Sequence, residues 1–288
     1  MLVQLDGTGR RRRPLGRLRQ AYRPPYLPSV PFVTPKLVRR LERTIDAFGV
    51  AWLAGHVGGP AGLRLERLGP VTAAVTESRP DLDFMNRIHG LPEDPARLDD
   101  VLAIYRAAGI RPWVELPPGT EELAARLADA GARPLEPVAV LYTAAEPAEV
   151  PAAPELRVVG PEEALHFGHL HLEGHGVPAG IRSLDAPGVA AVVAREDVRA
   201  YIASLDGEDV AAGVLFLHDG DASAANASTV ERFRGRGCQT ALLARRLTDA
   251  AHAGAELFSA LTTLGSPSQR NMERAGLRVA YTKTVWRL

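Results

Sequence analysis

Two pairs of glycines set the strongest constraint on this chain. Gly109 and Gly131 lie 22 residues apart, and so do Gly254 and Gly276; one offset of 145 carries the first pair onto the second. Each glycine follows an amphipathic stretch, where a residue free to take positive φ ends a helix. Under the same offset Leu98 meets Leu243, Leu102 meets Leu247, Trp113 meets Phe258 and Leu116 meets Leu261. Ala130-Gly131-Ala132-Arg133 likewise meets Ala275-Gly276-Leu277-Arg278. Matched core positions beside matched helix ends point to a tandem duplication.

The rest of the chain divides accordingly. Residues 144–154 read AAEPAEVPAAP, a linker composition. They separate a first half over 36–143 from a second over 155–288. Residues 1–35 carry an arginine run (Arg10 to Arg13, Arg17, Arg19) followed by five prolines, without apolar periodicity. Such a tail has nothing to bury and is expected to be disordered. A nucleic-acid arm is disfavoured, because no aromatics interleave with the arginines.

Within the first half, helical spacing begins at Lys36, with Leu37, Val38, Leu41, Ile45 and Phe48. Strands are expected over 62–68, 71–76, 84–88, 113–116 and 138–142. A helix follows Asp94-Pro95, and another follows Thr120. In the second half, strands are expected over 155–159, 198–205, 210–218, 222–230, 257–261 and 278–286. Helices are expected from Pro161, over 188–194, from 237 to 253 and over 266–275. Asp206-Gly207 and Asp219-Gly220 supply the hairpin turns. The pattern is α/β of the mixed α+β kind, a mostly antiparallel sheet flanked by helices in each half.

Composition removes several functions. Hydrophobic residues make up 46% and charged residues 24% of the 288, at zero formal net charge. No global field steers this chain to nucleic acid or anionic membrane. No apolar run approaches the roughly 18–20 residues of a membrane helix. The basic N-terminal run is not followed by the apolar core of a secretory signal. One cysteine, Cys238, excludes an internal disulfide and any multi-cysteine metal site, and fits a reducing, cytoplasmic setting. Two lysines against 32 arginines, with abundant alanine, read as GC-rich, bacterial coding.

The segment that carries chemistry is Val230-Glu231-Arg232-Phe233-Arg234-Gly235-Arg236-Gly237-Cys238-Gln239-Thr240. It follows a strand and opens a helix. Two glycines allow a tight turn, and the helix N-terminus adds unsatisfied N–H donors with partial positive charge. Arg232, Arg234 and Arg236 add full charges. The parts fit a pyrophosphate; a solvated basic turn that merely needs glycine has the same spacing.

Arg234-Gly235-Arg236-Gly237-Cys238-Gln239 resembles the CoA-binding loop of the GNAT superfamily of N-acetyltransferases, Gln/Arg-x-x-Gly-x-Gly/Ala after a strand. Arg274-Ala275-Gly276-Leu277 resembles that family's late Arg/Lys-x-Gly-Phe signature. The resemblance covers about 155–288 in the family's element order and implies two GNAT-like lobes, the C-terminal one complete. It implies acetyl-CoA as co-substrate, no metal, and direct attack by an amine without a covalent enzyme intermediate. Main-chain N–H groups from Gly235 through Arg236, Gly237, Cys238 and Gln239 to Thr240 would hold the pyrophosphate. Thr229 and Val230 would pair with the pantetheine arm, and an N–H near Val230 would polarise the thioester carbonyl.

The sequence departs from that pattern in three places. Gln239 stands where glycine or alanine is usual, compatible with binding if its side chain points outward. Glu231 stands where proline is common. Met272 stands where a tyrosine protonates the leaving thiolate in many members; Asn271 beside it is polar and could hold the cofactor, and Tyr281 is another donor. For the general base, His171, Glu173 and His175 are candidates, with His166 and His169 nearby. Singly, each is equally a surface histidine at a helix end, and a zinc site is disfavoured for lack of a supporting ligand set. Ser228 and Thr229 close the active strand; Ser228 would orient acceptor or water, or satisfy the strand edge. The Cys238 thiol, at a helix start, is expected to react with thiol reagents.

Under the 145 offset the loop becomes His89-Gly90-Leu91-Pro92-Glu93-Asp94. Pro92 removes an N–H, and Glu93 and Asp94 place negative charge where pyrophosphate would lie. The first half is therefore expected to keep the fold, lose the cofactor and shape the acceptor pocket.

The leading reading is an acyl-CoA-dependent N-acyltransferase acting on a small-molecule amine, as monomer or homodimer. Two alternatives belong to other classes. The missing tyrosine allows a non-catalytic CoA-binding or sensing module. The basic tail allows transfer from aminoacyl-tRNA, with RNA binding that weakens steeply with salt.

Overall fold

A computed structural model describes residues 31–288. The basic run over 10–19 lies outside the described residues. The first half contains α1 (Pro35–Ala54), β1 (Arg64–Leu68), β2 (Val71–Val75), β3 (Arg87–His89), α2 (Leu98–Ala108), β4 (Trp113–Leu116), α3 (Glu121–Asp129), β5 (Arg133–Pro134) and β6 (Val138–Ala144). The second contains β7 (Glu155–Val158), α4 (Ala164–Gly174), α5 (Ala179–Val193), β8 (Val198–Leu205), β9 (Glu208–His218), β10 (Asp221–Thr229), α6 (Cys238–His252), β11 (Leu257–Thr263), α7 (Pro267–Arg274) and β12 (Arg278–Arg287).

Most elements fall where spacing puts them, and the exceptions have local causes. Thr34, inside the tail expected over 1–35, starts α1: its Oγ1 accepts from the Leu37 N–H at 3.2 Å, with Pro35 in the first turn. Such a cap contributes about 1 kcal/mol. Asp94-Pro95 opens a 3-10 turn, and the α-helix begins only at Leu98. Thr120 donates to the Pro117 carbonyl at 2.6 Å instead of capping α3. The short helix expected over 188–194 runs from Ala179, with Pro187 inside it. A proline normally marks a helix boundary, which is why the sequence hid the first half of α5.

The 145-residue offset is visible in the backbone. Gly109, Gly131, Gly254 and Gly276 all have positive φ, at 67°, 91°, 79° and 92°. The strands run in the order β1-β2-β3-β4-β12-β6-β11-β10-β9-β8-β7. At the centre each half lends its last strand to the other. β6 of the first half pairs with β11 of the second, and β12 of the second pairs with β4 of the first. The exchange obeys the offset: Arg278 pairs with Tyr142, and the same pair shifted by 145 is Arg133 with Arg287, which is also formed. The linker thus separates the halves along the chain but not within the sheet.

α1 likewise serves the other half. Ala51 is buried with Phe167, Val189 and Phe216 of the second half, and the Phe48 ring lies 5.5 Å from Phe216. Arg40 reaches Asp221 at the start of β10 at 2.5 Å. A second cluster, with Leu242, Leu243, Leu247 and Phe258, lies between α6 and the sheet. Val71, Val101, Tyr105, Val114 and Leu127 form the first half's own core.

β10 places the site. It pairs in parallel with β11 only from Asp221 to Ala224, although it continues to Thr229. Its register against β9 shifts between Ala225 and Ser228, with Asn226 at φ 45°. This is a β-bulge, which bends the strand and re-aims its groups. β10 and β11 therefore splay beyond Ala224 and open a gap. No helix among the described residues is long and apolar enough to cross a membrane.

Candidate active site

Two cavities meet at this bulge. A groove of about 830 Å³ runs between the loop after β10, the start of α6 and α7. A second cavity, of about 440 Å³, lies between α1, α4 and the first half's β3 and β4. His175, Ala224, Ala225, Asn226 and Leu261 line both.

The groove has a donor-rich wall. Gly235 and Gly237 hold φ of 79° and 85°, a conformation that side chains disfavour. Gly237 is the N-cap of α6 and provides no side-chain cap. The first hydrogen bond back into the helix comes from the Ala241 N–H, so the N–H groups of the first turn have no acceptor among the described residues. They converge with the positive end of the helix dipole. Gly237, Cys238, Gln239 and Thr240 line the groove on this side; Asn271, Met272, Arg270 and Arg274 face them from α7.

The side chains around that wall are spoken for. Arg234 donates to the Thr229 carbonyl from Nε and to the Gly174 carbonyl from Nη2, both at 3.2 Å, and so braces the loop against β10 and α4. Arg236 points away from the groove to Asp206, at 3.0 Å. Gln239 turns inward: Nε2 donates to the Ser228 carbonyl and to Thr229 Oγ1, each at 2.9 Å. The outward orientation named as the condition for binding is not adopted, because the bulge presents two acceptors within its reach. Cys238 is buried, and burial pushes its thiol up. It is therefore shielded, against the expectation of a reactive thiol.

Beneath the bulge lies Arg246, 3% exposed and without a carboxylate partner among the described residues. Its guanidinium donates to the carbonyls of Leu242, Val214 and Ala225 at 3.0–3.3 Å. Burial holds it down to about 10.

The second cavity is built mostly from residues that sequence did not single out. Phe48, Trp52, Phe84 and Met85 form apolar walls. At the end near the groove, the His171 ring lies 4.6 Å from His175 and 5.3 Å from Trp52. Burial, with His175 beside it, pushes His171 down to about 3. Burial, with the charge of Arg234, also holds His175 below its ordinary value. Both rings are thus neutral at neutral pH, and His175 has a lone pair available at the junction.

At the other end stands a buried charge cluster. Asp46 Oδ1 lies 3.0 Å from His89 Nδ1, and its Oδ2 accepts from the Gly90 N–H at 3.3 Å. Arg87 pairs with Glu115. Behind them Lys283 reaches Glu42 at 2.8 Å and Glu115 at 3.2 Å. Burial pushes Asp46 and Glu115 up, but His89 and Lys283 for the first, and Arg87 and Lys283 for the second, outweigh it and leave both lowered. In a chain with two lysines, one of them is enclosed here, where a compact ammonium fits between carboxylates.

Several expected site residues sit elsewhere. Glu173 lines neither cavity; it pairs with Arg182 at 2.5 Å on the outer side of α4. Val230 is buried in the core and its N–H donates to the Val210 carbonyl at 2.9 Å, so it cannot polarise a thioester. Thr229 and Ser228 line the groove, but their carbonyls are taken by Arg234 and Gln239; Ala224 to Ala227 make up the rest of its β10 wall. Ser228 Oγ donates to the His171 carbonyl at 3.0 Å, tying α4 to β10. Asn271 lines the groove but not the second cavity. Tyr281 is 7% exposed and donates to Glu42 at 2.6 Å; burial and Glu42 push its phenol far up, and it lines neither cavity. His175 alone of the proposed bases stands at the junction. Among the described residues no cluster of histidine, cysteine and acidic groups is placed to hold a metal ion.

No family model and no curated protein matches the sequence. Solved structures do match the fold. A GCN5-related N-acetyltransferase from Kribbella flavida superposes with a TM-score of 0.57 at 19% identity, over 84% of this chain and 94% of that one. A tandem GNAT protein from the clavulanic acid biosynthesis pathway superposes with a TM-score of 0.58 at 14% identity, over 90% and 97%. A GCN5-related N-acetyltransferase from Sphaerobacter thermophilus gives 0.52 at 14% identity, over 90% and 94%.

Proposed function

Starting from the GNAT fold, which the chain has, we propose that it is an acyl-CoA-dependent N-acyltransferase that moves an acetyl group from acetyl-CoA to the amine of a small molecule. The observation that carries this reading is the meeting of two cavities at the β10 bulge. One is walled by unsatisfied N–H donors suited to a pyrophosphate; the other is enclosed, aromatic and acidic, suited to an amine.

Gly235, Gly237, Cys238, Gln239 and Thr240 hold the pyrophosphate through main-chain N–H groups. The contribution of Arg234 is structural, and Arg236 lies outside the groove. Asn271 faces the cofactor from α7. The thioester lies at Ala225 to Ala227, where the bulge turns main-chain groups into the gap; an N–H there polarises the carbonyl as charge develops on its oxygen. His175 takes the proton from the attacking ammonium. With Met272 in place of a proton-donating side chain, the thiolate leaves toward solvent in the field of Arg246. Thiolates are good leaving groups, and no covalent enzyme intermediate is required. The first half supplies the far end of the acceptor cavity.

The fit test is titration calorimetry of acetyl-CoA against the wild type and Gly237→Pro. The proline cannot take φ 85° and lacks the N–H. Micromolar binding by the wild type, weakened at least tenfold in the variant, supports the loop as the cofactor site. Binding that survives the proline places the cofactor elsewhere. Binding without turnover on any amine favours the sensing alternative.

A further inference from the structure

The acceptor cavity has a second polar end that acyl transfer does not use. Resting on the acyltransferase reading, we propose that the acceptor is a small diamine: one nitrogen is acylated beside His175 and Asn226, and the other, as an ammonium, is held by the Asp46–His89 pair.

His89 is 7% exposed and lines the cavity, and its Nε2 is buried without a partner. An unmade hydrogen bond on a buried ring is costly, of order 1–3 kcal/mol, unless a ligand completes it. Asp46 is an acceptor only, so Nδ1 carries the hydrogen between them. Nε2 is then the ring atom left without a partner, facing the cavity, and it calls for a hydrogen-bonding group from a ligand.

The surrounding charge says which group. Asp46 and Glu115 both line this end, against Arg87 alone. Arg87 and Lys283 both engage Glu115. Asp46 has no arginine or lysine in ion-pair contact among the described residues. A half-buried carboxylate with no arginine or lysine against it selects an ammonium over a neutral hydroxyl.

The distance between the two ends follows α1. The His89 ring is laid on Gly49, where a Cβ would come within 2.3 Å of it. One turn later, about 4.5 Å along the axis, Trp52 packs on His171, which packs on His175. The two ends are thus separated by at least a helical turn along α1. Phe48, Trp52 and Phe84 line the stretch between them, suited to methylenes. The Asp46 site also has an origin. Gly90 is the offset counterpart of Gly235 and keeps its left-handed backbone, φ 73° against 79°. Its N–H, no longer offered to a phosphate, anchors Asp46 instead.

The test uses the full chain and straight α,ω-diamines of four to eight carbons, with monoamines and amino alcohols of matching length. Calorimetry and initial rates with acetyl-CoA are both read. One diamine length should bind at least tenfold tighter than its monoamine and lead in kcat/KM by a similar factor. Asp46→Asn and, separately, Gly49→Ala, which displaces the His89 ring, should bring the diamine to the monoamine's level, with acetyl-CoA affinity retained as proof of folding. A monoamine or amino alcohol that matches the diamine overturns the proposal, as does a preference that survives both variants. Diamine binding that depends on Asp46 without any transfer would sink the acyltransferase reading alone. Transfer to monoamines and diamines alike would sink this proposal alone.

Discussion

Arg246 donates to the Ala225 carbonyl at 3.3 Å and to that of its strand partner Val214 at 3.2 Å. One guanidinium thus clamps the last regular pair before β10 bulges. It is buried, lines the cofactor groove and balances no carboxylate among the described residues. A buried unpaired cation is expensive, which sets it apart from an ordinary structural arginine.

Arg246→Met is expected to lower kcat by roughly ten- to a hundredfold, the scale of losing one preorganised electrostatic contact, with acetyl-CoA affinity changed by less than about threefold. Steady-state kinetics beside calorimetry read this split. An unchanged kcat would mean that the bulge holds its shape and that the thiolate leaves without the arginine's field.

His175→Gln is expected to reduce kcat/KM by about 10²–10³, the usual worth of a general base. The wild-type acid limb should lie below pH 6.5, since burial and Arg234 hold this imidazole under its ordinary value. The variant should lose that limb. A pH–rate profile that keeps the same limb in the variant assigns the proton to another group.

Stability should fall as pH drops from 6.5 toward 5. The sign follows from proton counts. His56, His171 and His175 are all lowered by burial; the unfolded chain therefore binds protons in this window that the folded one refuses. Each such histidine contributes a slope of up to about 1.4 kcal/mol per pH unit. Urea midpoints at pH 7.5, 6.5 and 5.5 measure it, and His171→Phe should flatten the slope by one proton's share. A flat wild-type profile would contradict the burial of these rings.

Lys283→Met removes the ammonium between Glu42 and Glu115 and leaves both carboxylates buried without it. A loss of about 3–5 kcal/mol is expected from such a one-sided deletion. The urea midpoint is the readout, and recovery at acid pH, where the carboxylates protonate, would confirm the cause.

Much of this was legible in the sequence, and the rest was withheld for physical reasons. The 145 offset could be read because helix ends and inward positions repeat, and the same offset relates the observed pairs Arg278–Tyr142 and Arg133–Arg287. The strand exchange could not be read, since an apolar pattern says which face is buried and not whose strand lies alongside. Asp46, His89 and Glu115 come from three distant segments that only α1 gathers, and no local motif announces them. Glu173 is different: it was legible and misjudged. Residues four apart share a helix face and residues two apart do not, so His171 and His175 meet while Glu173 turns to Arg182. Val230 was misplaced because the shift between Ala225 and Ser228 moves the open groups upstream.

The reciprocal exchange of β6 and β12 bears on how such a chain can evolve. The first half has Pro92, Glu93 and Asp94 where the offset places Gly237, Cys238 and Gln239 in the second. Yet deleting it would strip β11, a wall of the working gap, of the strand that covers its far edge. The first half is therefore held fast at its last strand, whereas its loop and its share of the cavity wall carry no such constraint and can vary without unpairing the sheet.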